Sequence, residues 1–206
     1  MASKTTVGMA KWDARHRAAE QSPAEPASIV LELLPLLPQG PALDLACGTG
    51  RHALLLAAQG RNVAAVDASG VALGILEERA RGAAVPVSRT PEMNEVRRAA
   101  GAGMQLVQED LERSHLPAAS FDLILCVHYM QRSLFAQMER ALRPGGMLLF
   151  ETYTRAQLAF TGGLRNPDFL LENHELRGAF PKLRTIFHRE LRAGKGIASL
   201  LAQKPV

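Results

Sequence analysis

The 206-residue chain predicts an α/β fold in which a mostly parallel sheet carries helices on both faces and ends in an antiparallel C-terminal hairpin. Three observations predict it. Short apolar runs of strand length alternate with longer amphipathic runs from Ala42 onward. A Gly-x-Gly turn, Gly48 and Gly50, joins the first such strand to the first such helix. Near the C terminus, "KLRTIFHREL" and "GIASLLAQKP" flank the turn "RAGK". Parallel neighbours need crossovers, and right-handed crossovers place every loop that follows a strand along one edge of the sheet. In such sheets the ligand crevice lies beyond the carboxyl ends of the strands.

The elements follow in order. Residues 1–11 are small and polar and are expected to form a disordered tail, leaving 12–206 as a single domain. "WDARHRAAEQ" suits a short helix, and "PAEPASIVLELLPLL" a second one that starts at Pro26 and ends near Pro38. "PALDLAC" is a buried strand, and "RHALLLAAQG" a helix with Gly60 as its C-cap. "NVAAVDAS" is the next strand, followed by the amphipathic helix "GVALGILEERARG", closed by Gly82. The 85–103 segment is punctuated by Pro and Gly, with a short helix expected after Pro91. "MQLVQEDL" and "FDLILCV" are strands three and four, "SLFAQMERAL" is helical, "RPGG" turns and "MLLFETYT" is strand five. With the hairpin, seven strands are predicted.

Composition narrows the function. With 47% apolar and 21% charged residues the chain has the balance of an ordinary globular protein. No uninterrupted apolar run approaches a membrane span and the N terminus has no signal-peptide core, so a cytoplasmic location is expected. Two cysteines, Cys47 and Cys126, make neither a disulfide framework nor a zinc site, and are expected as buried thiols. The formal charge of +4 suits an anionic partner, but the arginines are scattered rather than massed, which argues against nucleic-acid binding.

The Gly-x-Gly turn allows a tight bend and lets a ligand approach the backbone. Asp67, at the end of the second strand, is placed to accept from ribose hydroxyls, and could otherwise cap the following helix. Taken alone, Gly48, Gly50 and Ala53 also suit a dinucleotide. Asp44, inside the first strand, would face a pyrophosphate unfavourably and a cationic cofactor favourably. The ordered series "LDLACGTGRHA", "VDAS", "QEDLE", "FDLILCVHY" and "LRPGGMLLFE" resembles the class I S-adenosylmethionine-dependent methyltransferases over Pro41 to Thr154. That resemblance implies a seven-stranded Rossmann-like methyltransferase sheet and S-adenosyl-L-methionine as cofactor. It implies that Asp44, Cys47, Gly48 and Gly50 surround the methionine part, that Asp67 binds the ribose with Ala68 beside the adenine, and that Asp110 and Leu111 flank the adenine. Val127 and His128 would lie beneath the methyl group. Asp67 and Asp110 stand further apart than the family pattern, so the 85–103 segment is either a longer surface crossover or a cover near the adenine.

Methyl transfer mainly requires alignment of nucleophile, carbon and sulfur and exclusion of water. "CVHYMQR" after the fourth strand lacks the Asn/Asp-Pro-Pro-Tyr/Phe motif of amino-methylating DNA enzymes. "WDARHRAAE" and the segment after the fifth strand are similar to bacterial small-molecule methyltransferases of the tellurite-resistance type, close to thiol methyltransferases. This implies a small, soft or anionic acceptor: a thiol or a chalcogen oxyanion. His128, Tyr153 and Arg177 are the expected catalytic residues, with Tyr129, Arg132, Arg165, His174 and Trp12 as further candidates. Each has a structural alternative: a strand-end histidine, a turn-stabilising arginine, a solvated helical face for His174 and Arg177, an anchor for Trp12. No metal is expected, and oligomeric state is left open. The other functional classes are an RNA or protein methyltransferase and a non-catalytic cofactor-binding regulator.

Overall fold

The computed structural model describes residues 13–14, 25–96, 102–161 and 164–206. The elements are α1 (Ser28–Leu33), β1 (Ala42–Leu45), α2 (Arg51–Ala58), β2 (Asn62–Asp67), α3 (Gly70–Gly82), β3 (Val87–Thr90) and β4 (Gly103–Gln108). Then come β5 (Phe121–Val127), α4 (Phe135–Ala141), β6 (Leu142–Tyr153), the single turn α5 (Glu175–Gly178), β7 (Arg184–Leu191) and β8 (Ile197–Gln203). They form one eight-stranded sheet in the order β3-β4-β2-β1-β5-β6-β8-β7. The pairs from β3 through β6 are parallel, and β8 runs antiparallel to both β6 and β7. Strand order reverses between β1 and β5, so the crevice opens above β1, β2 and β5.

Alternation along the strands sorts the core into two layers. Leu43, Leu45, Val66, Ile124, Cys126 and Phe150 pack on the face covered by α4 and α5. Ala42, Val63, Ala65, Leu123, Leu125 and Leu149 pack on the face covered by α1, α2 and α3. By the same alternation Asp44 points to the α2 face.

The strand count corrects the predicted seven to eight. The added strand, β3, comes from the lengthened 85–103 segment, which pairs in parallel with β4 and extends the sheet at one edge. Its side chains are mostly exposed or half-buried, so it carries almost no apolar signal to mark it as a strand. The helix expected after Pro91 is a 3-10 turn at Met93–Glu95. "RPGG" is not a separate turn. It lies within β6 as a bulge, where Phe121 pairs with Leu142 and Leu123 already with Met147, and Gly145 supplies a left-handed φ of 78°. The helix after Pro26 gives way at Leu34 to a 3-10 turn containing Pro35, whose ring cannot continue an α-helical ladder. Gly60 does end α2, at φ 85°, whereas α3 runs through Gly82 and stops at Ala83. Residues 1–11 and Trp12 lie outside the described residues, as does most of "WDARHRAAEQ"; Asp13 and Ala14 are helical.

Gly50 joins the turn to the sheet packing. Its φ is 79°, and a Cβ there would meet Leu76 Cδ1 of α3 at 2.0 Å. Leu76 is fully buried and has little room to retreat. Gly50→Ala should therefore lower unfolding free energy by about 2–4 kcal/mol, from overpacking and the left-handed backbone together. Urea denaturation measures this, and a loss below about 0.5 kcal/mol would refute the close packing of α3 on the turn.

Candidate active site

Three residues with positive φ build the turn above β1, Ala46 (53°), Gly48 (55°) and Gly50 (79°), and His128 (60°) follows the adjacent end of β5. Asp67 ties this turn to β2. Its Oδ2 accepts from Gly48 N at 2.8 Å and its Oδ1 from Ser69 N at 2.8 Å. Cys47 N adds a bond to Val66 O at 3.0 Å. The helix-capping role falls to Ser69, whose Oγ accepts from Ala72 N at 3.1 Å and donates to Asp13 Oδ1 at 2.5 Å. Both carboxylate oxygens of Asp67 are thus engaged by backbone donors, one on each side of the crevice.

Asp44 is buried in the middle of this frame, and its Oδ2 accepts from Ala53 N at 3.0 Å, in the first turn of α2. Burial pushes its carboxyl up to about 7, against the lowering effects of the Ala53 bond and the Arg51 charge. A carboxyl desolvated this strongly is matched to a cationic ligand group, the fit that a sulfonium and ammonium cofactor requires. Burial likewise pushes the thiols of Cys47 and Cys126 up, so neither is a thiolate nucleophile.

Beyond β2 and β4, Ala68 O accepts from Gln108 Nε2 at 3.4 Å. Asp110 Oδ1 accepts from Glu112 N at 3.0 Å in a tight turn, and Leu111 is buried beside it. The lengthened segment reaches this corner too: Met93 N donates to Glu109 Oε2 at 3.0 Å, and buried Met93 packs in the same core layer as Leu111. Besides extending the sheet edge, the segment therefore meets the loop after β4 at Glu109.

The side expected to face the acceptor lies at the ends of β5 and β6, where Val127 is buried and His128 begins the loop. His128 N donates to Glu151 O at 2.7 Å. Its ring is stacked on Tyr153, 5.1 Å between centroids and 23° between planes. The imidazole Nε2 lies 3.5 Å from Glu151 Oε1, and Nδ1 lies 3.2 Å from an Arg51 guanidinium nitrogen. Ser199 Oγ on β8 donates to Glu151 Oε2 at 2.6 Å. Burial alone would raise the Glu151 carboxyl, but the bonds from His128 and Ser199 outweigh it and hold the group below its usual value. Neighbouring His52 is structural: its Nε2 accepts from Ala27 N at 3.1 Å, and burial with the Arg51 charge holds it down to about 3. Arg51, Glu151 and Ser199 are absent from the sequence expectations. Glu151 carries the same cue as Asp44, an acidic residue inside an apolar strand, whereas Ser199 carries none.

The remaining candidates are placed elsewhere. Tyr129 OH donates to Gln131 Oε1 at 2.6 Å, and burial raises its phenol. Arg132 grips Glu175 at 2.6 and 2.8 Å and the carbonyls of Asp168 and Leu170; its bond to Glu175 holds that carboxyl below its usual value. Arg165 donates to the carbonyls of Phe160 and Leu158, which fits its turn-stabilising alternative. His174 precedes α5 in a left-handed conformation and is exposed, with its ring 3.5 Å from Glu190, so it shares no helical face with Arg177. Arg177 is exposed on α5, and no hydrogen bond or ion pair joins it to His128, Glu151 or Tyr153. Trp12 lies outside the described residues.

The Asp44 environment has a measurable consequence. Its folded value near 7 lies above the ordinary 3.8, so the folded state holds a proton that the unfolded chain releases between those values. This group therefore makes stability fall as pH rises through that window and level off above it. Asp44→Asn keeps an acceptor for Ala53 N and removes the ionisation. The variant should gain about 2–4 kcal/mol over wild type between pH 4 and pH 7.5, read by urea denaturation at each pH. A constant difference between the two proteins across that range would contradict the desolvated carboxyl.

Comparison with known proteins agrees with this geometry. A methyltransferase-domain family matches residues 43–150, the span from β1 through β6 that carries the turn, Asp67, Asp110 and His128. Among curated proteins, the mitochondrial ubiquinone biosynthesis O-methyltransferase of Schizosaccharomyces pombe is 29% identical over 123 residues. That alignment takes in 57% of this chain but only 39% of the relative, so the chain spans about two fifths of that protein's length. Among solved structures, TehB from Haemophilus influenzae superposes with a TM-score of 0.69 at 16% identity, covering 94% of this chain and 67% of that one. An S-adenosylmethionine-dependent methyltransferase from Mesorhizobium loti gives 0.65 at 20% identity, covering 88% of this chain and 100% of the other. These structural likenesses speak for the fold. The family match covers more than half of the sequence and every loop of the cofactor frame, and the chain belongs to the class I S-adenosylmethionine-dependent methyltransferases.

Proposed function

We propose that this protein methylates a small-molecule acceptor carrying a soft chalcogen, a thiol or a chalcogen oxyanion. One observation carries the reading: His128, stacked on Tyr153, sits at the end of β5 between a guanidinium and a buried carboxylate. That setting suits an acceptor that is anionic or becomes so when it loses a proton. The sequence similarity to the tellurite-resistance and thiol-methylating branch supports a chalcogen as the reacting atom.

When bound, the cofactor supplies a methyl carbon already activated by a sulfonium. The chain's own contribution is to hold and orient. Asp44, Cys47, Gly48 and Gly50 would surround the methionine part, Asp67 the ribose, and Ala68, Asp110 and Leu111 the adenine. Val127 would close the floor, and His128 with Tyr153 would face the acceptor. We further propose that residues 12–206 act as one domain and that the protein works in the cytoplasm. Among the described residues no helix is long and apolar enough to cross a membrane.

Methylation assays with tellurite, 2-mercaptoethanol, a phenol and tRNA test the acceptor class. Turnover on either of the first two supports the proposal; turnover confined to the phenol or to tRNA overturns it. The phenol arm matters because the curated relative is named an O-methyltransferase.

Two variants probe the halves of the site. Asp67→Asn should weaken S-adenosylmethionine binding by about 1.5–3 kcal/mol, the scale for a charged acceptor lost to buried hydroxyl donors. Isothermal titration reads this, and unchanged affinity would reject the ribose role. Asparagine also tolerates a left-handed backbone, so His128→Asn removes the imidazole while respecting φ 60°. It should depress methyl transfer roughly 10²-fold if the imidazole takes a proton, with cofactor affinity nearly intact. Parallel losses of binding and turnover would place His128 in the cofactor frame instead.

A further inference from the structure

Arg51 occupies a position that stability does not explain. It is the first residue of α2, where the helix dipole disfavours a cation, and burial lowers its guanidinium from the ordinary value. Among the described residues its guanidinium donates to Glu25 O at 3.3 Å and to His128 Nδ1 at 3.2 Å. A guanidinium only donates, so the second contact requires Nδ1 to be the unprotonated ring nitrogen. The ring proton then sits on Nε2, facing the Glu151 carboxylate at 3.5 Å. In this arrangement Arg51 occupies the one lone pair with which His128 can take a proton.

We infer that Arg51 is the acceptor-recognising residue of this site, and that Arg51 turning from His128 to the sulfur of a bound thiol frees Nδ1 to take the thiol proton. The inference rests on the acceptor class proposed above. For a thiol acceptor the balance closes within the site. The S–H proton passes to Nδ1, the sulfur electron pair forms the bond to the methyl carbon, and the pair of the broken carbon–sulfur bond stays on the cofactor sulfur. Arg51 pairs with the thiolate while the sulfur is negative. The imidazolium left behind faces Glu151, whose other oxygen is held by Ser199. An oxyanion acceptor already bears its charge, needs no proton removed, and uses Arg51 alone.

The groups around His128 agree with this exchange. Arg51 faces it from α2, and Glu151 and Tyr153 face it from β6. Asp44 and Glu151 act on Arg51, and Lys195 acts on Glu151, through their charges. Arg177 is exposed and joined to none of this cluster, so the guanidinium that an anionic acceptor needs is supplied by α2 rather than by α5. Arg51 also directly follows the Gly-x-Gly turn, which brings acceptor recognition to the edge of the cofactor frame.

The test has a readout that does not depend on turnover. In histidine-labelled wild-type protein, nitrogen NMR should find neutral His128 with Nε2 protonated and Nδ1 bare. Titrating tellurite, and separately 2-mercaptoethanol above neutral pH, should shift the Nδ1 signal in wild type and leave it unmoved in Arg51→Gln. In the assay, Arg51→Gln should raise the acceptor KM at least tenfold with cofactor Kd changed less than threefold, and Arg51→Lys should recover part of that loss. A thiol-only response in wild type would identify the acceptor as a thiol, a tellurite-only response as an oxyanion. A proton on Nδ1 in the free protein, or equal responses in wild type and Arg51→Gln, would overturn the inference. If wild type binds cofactor but methylates neither probe, the acceptor reading fails, and the NMR titration still decides the role of Arg51.

Discussion

The Asp67 carboxylate is the constraint on which the rest of the site depends. By accepting from Gly48 N on one side and Ser69 N on the other, it joins the turn above β1 to the turn above β2. The turn above β1 holds left-handed residues at Ala46, Gly48 and Gly50 that would otherwise relax. The same side chain stands at the crevice edge, at the end of β2. Asp44 works beneath it in a similar way, satisfying the start of α2 through Ala53 N while keeping a desolvated carboxyl within the frame. Two acidic residues on adjacent strands thus make a region that is tolerant of cations and hostile to phosphates.

The acceptor side is built on a different principle. Glu151 lies inside a strand that is otherwise apolar and would be costly without partners. Ser199 and His128 supply them, and the antiparallel insertion of β8 beside β6 brings Ser199 opposite Glu151. The last two strands therefore do more than finish the sheet, because Ser199 on β8 adds to the His128 bond in holding the Glu151 carboxyl below its usual value. His128 adopts φ 60° and bonds through its own N–H to Glu151 O, so backbone and side chain fix it against the same residue.

Basic residues in this protein are largely engaged in internal bonds. Arg132 grips Glu175 and two carbonyls, Arg165 caps a turn, Arg61 is buried against the carbonyls of Leu37 and Pro38, and Arg143 pairs with Asp122. Arg51 differs in that its position on α2 opposes the helix dipole and its guanidinium points to an imidazole.

Sequence alone determined the α/β class, the parallel core and the C-terminal hairpin, because each rests on local signals: apolar period, glycines at a forced bend, and turn residues between two strands. The turn at Gly48 and Gly50 and the acidic residues Asp44 and Asp67, whose expected roles come from the family resemblance, are legible as features of the chain. The eighth strand is not, because β3 is an edge strand whose pattern of exposure leaves almost no apolar signal. Nor is the acceptor cluster, which joins residues 51, 128, 151, 153 and 199 across four elements. The arginine nearest His128 follows from how α2 meets β5, whereas the family resemblance points to Arg177. Proton placement on His128 depends on which groups face its two nitrogens, and only the packing of strands and helices against one another decides that.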